Sequence, residues 1–97
     1  MSESTCISSG DIDEDIQLYT GRGLLRGVSL SVIESNSAMI HVYDGEDNTG
    51  NLLTCLRVSG GQVRTQSIMY TTPVRCYHGL FVEVTGDPSR AIVYFGG

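Results

Sequence analysis

Lysine and tryptophan are absent from this 97-residue chain, and alanine occurs only at Ala38 and Ala91. Proline is equally scarce, with Pro73 and Pro88 alone. Without lysine and nearly without alanine, two of the strongest helix formers are missing, which excludes a helical bundle or a coiled coil. Two prolines exclude a collagen-like repeat. No apolar run approaches the ~18 residues needed for a membrane-spanning helix, and no basic-then-apolar stretch opens the chain as a secretory signal would. No membrane partner is therefore expected. Basic charge is also short. Six arginines face eleven Asp and Glu for a net charge of −5, and Arg22, Arg26, Arg57, Arg64, Arg75 and Arg90 are scattered. That balance disfavours nucleic acid as a partner, because such binding comes largely from neutralising phosphates.

Strand formers fill the space that helix formers leave. Nine Val, seven Ile and eight Thr make 24 of 97 residues β-branched, punctuated by twelve Gly and eleven Ser. Residues 1–15, MSESTCISSGDIDED, show no sustained period and read as a flexible acidic arm preceding a domain over 16–97. From Ile16 the chain reads as successive short strands. Ile16 to Thr20 stops at Gly21-Arg22-Gly23. Leu24 to Ile33 alternates with Val28, Leu30 and Val32 on one face, and Ala38 to Tyr43 puts Ala38, Ile40 and Val42 inward. Leu52 to Val58 ends at Ser59-Gly60-Gly61, and a weaker segment spans Gln62 to Tyr70. Pro73 cannot donate to a ladder and marks an edge or a connection. Leu80 to Thr85 sends Leu80, Val82 and Val84 in and Phe81, Glu83 and Thr85 out; Ala91 to Phe95 closes the domain. Six to seven short strands of this kind predict an all-β fold, an antiparallel β-sandwich or flattened barrel.

Catalytic and metal signatures do not emerge. Cys6, Cys55 and Cys76 are odd in number and lack C-x-x-C spacing, so they read as free thiols, with Cys55 and Cys76 as small buried hydrophobes. Cys76 and His78 share a strand parity and join Cys55 and His41 in a four-ligand zinc set only if distant segments meet. Asp44, Glu46, Asp47 and Asn48 are oxygen donors without the EF-hand order, and Asp-Gly pairs are turn residues first. No G-x-S-x-G elbow or Cys–His arrangement marks a nucleophile. No catalytic residue, metal or cofactor is expected. The contact residues are a different matter. Met39, Tyr43, Phe81, Ile92 and Tyr94 fall on outward parities, and with Arg26 and Arg75 they match the aromatic, Met and Arg enrichment of interface cores.

Three stretches carry a family resemblance: Gly23-Leu24-Leu25-Arg26-Gly27-Val28; Ile40-His41-Val42-Tyr43-Asp44-Gly45 with Gly50-Asn51-Leu52-Leu53; and Gly79-Leu80-Phe81-Val82-Glu83-Val84-Thr85-Gly86 with Ile92-Val93-Tyr94. Over residues 23–95 these resemble small β-sandwich structural proteins of tailed-bacteriophage virions. In those modules a G-x-x-x-G-V strand, a V-Y-D-G … G-x-x-L hairpin and a G-L-x-V-x-V-T-G … V-x-Y hairpin recur in this order. The resemblance implies a non-enzymatic virion component assembled in the host bacterial cytoplasm. A capsid decoration (cement) protein that binds the major capsid protein and stabilises its shell is the foremost expectation. A neck, tail or fibre subunit is the alternative, and so is a carbohydrate-binding sandwich using Tyr43, Phe81 and Tyr94. Homo-oligomerisation, often threefold for cement proteins, is likewise implied by the family.

Overall fold

The computed structural model describes residues 7–32, 36–58, 65–86 and 88–96. The expectations for Cys6, for Ile33 as the last residue of an alternating strand, for Ser59-Gly60-Gly61 as a strand stop, for residues 62–64 and for Asp87 fall outside the described residues. Among the described residues eight strands follow in chain order: β1 (Ile7–Ser8), β2 (Ile16–Thr20), β3 (Gly23–Val32), β4 (Ala38–Asp44), β5 (Asn51–Val58), β6 (Thr65–Cys76), β7 (Gly79–Gly86) and β8 (Pro88–Gly96). They form two four-stranded antiparallel sheets, ordered β1-β8-β3-β6 and β2-β7-β4-β5, packed as a β-sandwich. No helix occurs among the described residues. The all-β sandwich expected from composition and period is thus what the chain forms, with one strand more than the upper expectation.

The period-two pattern sorts the side chains. Leu25, Val28 and Leu30 of β3, Ile40 and Val42 of β4, Leu80 and Val82 of β7, and Val93 of β8 are fully buried between the sheets. Leu56 and Val84 pack partly buried against that core. Each fully buried aliphatic side chain contributes about 1.5–3 kcal/mol relative to exposure. Tyr19 and Phe95 meet between the sheets with ring centroids 6.2 Å apart. On the other side the Tyr70 hydroxyl donates to Thr54 Oγ1 at 2.6 Å, joining β6 to β5.

Two features depart from the sequence reading. Pro73 marks an edge, one of the two readings it allowed, but it does not interrupt the strand. β6 runs through it because β6 is an edge strand, and between Leu25 and Gly27 its partner register jumps from Val74 to Met69. Residues 70–73 therefore carry no β3 partner, so the missing proline N–H costs no ladder bond. The segment before Ile16 also belongs to the sandwich from Ile7 onward. β1 pairs with β8, Ile12 donates its N–H to Ala91 O at 2.8 Å and is buried, and Asp15 accepts from Val84 N at 3.0 Å. One buried isoleucine, Ile12, and the backbone pairing of the two-residue β1 supply the anchorage, which is why no period announces it.

Candidate functional site

The seven contact residues divide between the two outer faces. On β4, Met39, His41 and Tyr43 alternate with buried Ala38, Ile40, Val42 and Asp44. On β7, Phe81 and Glu83 alternate with buried Leu80 and Val82. Registration places Tyr43 opposite Phe81, His41 opposite Glu83 and Met39 opposite Thr85. His41 stacks on Tyr43 at 6.1 Å and 15°, and its Nδ1 lies 4.0 Å from Glu83 Oε1. Asn48 Nδ2 donates to Glu83 Oε2 at 3.1 Å. Burial, then the Glu83 carboxylate, then Cys55 hold the Tyr43 phenol above its ordinary pKa, so it stays protonated as a donor. Next to Met39 a groove of about 240 Å³ is lined by Ser37, Ala38, Met39, Arg57, Thr85 and Gly86.

Ile92, Tyr94, Arg26 and Arg75 lie in the opposite sheet. Ile92 faces Ser29, Tyr94 faces Gly27, and Arg75 faces Leu24 across the ladders. Arg26 is the extra residue of a bulge, since Leu25 pairs with Phe95 and Gly27 with Tyr94. Gly27 is required there. A Cβ would collide with Met69 Sδ and lie 2.6 Å from Ile68 O, so only glycine lets the Met69 thioether cross the strand. A second groove, about 300 Å³, is lined by Arg22, Gly23, Leu24 and Arg75. Tyr43, Phe81 and Met39 thus gather on one face and Ile92, Tyr94, Arg26 and Arg75 on the other, with the core between them. No single patch holds all seven.

The potential metal ligands fare differently. His41 and Cys55 are cross-strand neighbours on the outer face of β4 and β5, whereas Cys76 is buried and within 3.7 Å of Gly21 O. Among the described residues no group of three His, Cys, Asp or Glu is placed to hold a metal ion. Cys55 is exposed, against expectation, because it shares the outward parity of His41 on an edge strand. Cys76 behaves as the small hydrophobe expected, and burial followed by the Asp44 charge pushes its thiol pKa up.

Asp44 has a role that its reading as a turn residue missed. It is 6% exposed, and its carboxylate accepts from Tyr77 N at 3.0 Å and His78 N at 2.7 Å. Burial works to raise its pKa. The backbone N–H groups of His78 and Tyr77, the His78 charge and the Gly79 N–H outweigh it, holding the carboxyl below its ordinary 3.8. The following Gly79, at φ 144°, lets the chain turn into β7 where a Cβ would strike Tyr19 O. The signal was present: Asp44 continues the inward series Ala38, Ile40, Val42, and a carboxylate on a core parity must find donors. No protein-family model, curated protein or solved structure matches the chain.

Proposed function

We propose that the chain is a non-enzymatic structural subunit of a bacteriophage virion, most concretely a decoration protein that attaches to the shell of the major capsid protein. The observation that carries the contact part of this reading is the pair of aromatic outer faces. Phe81, Tyr43, Ile92 and Tyr94 are half-buried on strands whose opposite parity already supplies a complete core. Such side chains lie outside the core and keep exposed area for a partner, in the Tyr, Phe, Met and Arg company typical of interface centres. The virion attribution comes from the resemblance of residues 23–95. A neck, tail or fibre position remains the second placement under the same reading.

The test adds purified protein to particles lacking this component and measures occupancy and heat resistance. Phe81→Ala and Tyr94→Ala variants report on the two faces separately. Each truncation at a buried contact costs about 1.5–3 kcal/mol of attachment, while melting of the free domain stays close to wild type. Saturable occupancy lost in one variant identifies the docking face. Absence of binding by wild type, together with glycan binding or hydrolytic turnover, rejects the reading.

A further inference from the structure

Charge and exposed apolar surface are segregated between the two edges of the sandwich. The stretch from β1 through β2, residues 7–20, carries Asp11, Asp13, Glu14 and Asp15 and no arginine. The opposite edge strands, β5 and β6, carry Arg57 and Arg75 and no carboxylate; Glu46 and Asp47 lie on the loop before β5, at the end away from Arg57. Five of the six large apolar side chains most exposed among the described residues lie on these same four edge strands: Ile7, Ile16, Leu52, Ile68 and Met69. Exposed edges rich in apolar residues are templates for pairing with another chain.

The geometry points to a second copy of this chain as the occupant: we infer that copies associate head to tail, the acidic β1/β2 edge of one against the arginine-bearing β5/β6 edge of the next. Three observations support that choice over any other partner. Every neighbouring pair in each four-stranded sheet is antiparallel, so the two edge strands of a sheet run in opposite directions. A copy displaced sideways therefore sets its β2 antiparallel to β5, continuing that ladder, and brings the two-residue β1 alongside β6 at the level of Val74 and Met69. Heights along the strands also agree. Asp15 is bonded to Val84 N, the adjacent Thr85 pairs with Met39, and Met39 pairs with Arg57. The same displacement brings Ile16, level with Val82, Val42 and Thr54, close to Leu52 two residues along. Finally, Asp13, Glu14 and Arg57 are exposed and form no ion pair among the described residues, while Asp11 is bound to Arg90.

Pairing like edges would set acid against acid at β1/β2 or arginine against arginine at β5/β6, so a two-fold dimer through these edges is disfavoured. A head-to-tail contact instead closes into a ring or continues as a filament. This inference deepens the assembly reading above, and its test is independent of particles. Sedimentation velocity and native mass spectrometry are run on the full chain over a concentration series at low and high salt. The comparison set is Arg57→Glu, Asp13→Lys/Glu14→Lys, and a one-to-one mixture of the two. Wild type is expected to associate with concentration and to dissociate as salt rises. Each variant, folded by circular dichroism, should raise the dissociation constant at least about tenfold, equivalent to about 1.4 kcal/mol. The mixture restores association, since each altered edge then meets a complementary one. A wild type that is monomeric throughout, variants that associate as wild type does, or a mixture that fails to recover overturns the inference. A monomer that still occupies particles leaves the attachment reading standing; association without attachment does the reverse.

Discussion

Replacing Asp44 tests the link between a buried charge and the turn that joins β6 to β7. Its carboxylate accepts from two consecutive backbone N–H groups, Tyr77 and His78, that have few alternatives where the side chain is buried. Hydrogen bonds to a charged acceptor are worth about 1.5–3 kcal/mol each, so Asp44→Ala should cost about 3–5 kcal/mol. Asp44→Asn retains one carbonyl acceptor and should cost about 1–2 kcal/mol. The folded carboxyl titrates below its ordinary 3.8, so its contribution is complete above that value. It is lost as pH falls through the lower folded value. Asparagine does not titrate, so wild type should lead Asp44→Asn at neutral pH and converge with it in acid. Urea unfolding monitored by circular dichroism at pH 7, 4 and 2.5 gives the comparison directly. Equal midpoints at pH 7, or a gap that persists unchanged into acid, would refute the role assigned to this carboxylate.

Ile12→Ala should destabilise the domain by about 2–3 kcal/mol in thermal or urea unfolding, because Ile12 is buried in the core. A wild-type midpoint would return the segment before Ile16 to the status of a loose arm. Gly27→Ala should cost about 1–3 kcal/mol, and adding Met69→Ala should recover only part of it, since the clash with Ile68 O is with backbone; full recovery would contradict that division. Cys55 should react with a thiol reagent in the native protein and Cys76 only after unfolding, as their exposure and the raised pKa of Cys76 require. Equal native rates, followed by mass spectrometry of labelled peptides, would count against the burial of Cys76.

The sequence pattern made most of the fold legible because a sandwich core filters side chains at period two. Val28, Leu30 and Val32, then Ala38, Ile40 and Val42, then Leu80 and Val82 fall inward as their alternation predicts. Edge strands were harder. β6 alternates poorly because its exposed residues have solvent on one side and an unpaired stretch at 70–73. The anchorage of residues 7–15 was illegible for a related reason: a two-residue strand and one buried isoleucine leave no repeat to detect. Outward parity correctly separated Tyr43, Phe81 and Tyr94 from the core. It could not say which sheet each strand joins, and sheet membership is what divides the contact residues between two faces.

Edges and faces of a sandwich can serve different partners because they are different surfaces of one rigid core. Charges concentrated on the edges suit contacts whose register must be selected, since a sign mismatch penalises the wrong pairing. Aromatic side chains at the centres of the faces suit contacts that gain from desolvation. If copies join through their edges, neither aromatic face is consumed, and every copy presents the same face to whatever lies beside the assembly. Attachment then gains from multiplicity. Several weak contacts linked on a surface of matching spacing can exceed the single-copy affinity by about 10²–10⁴-fold. If both proposals hold, a small chain with a modest contact on each face gains strong attachment through edge association, without enlarging either face.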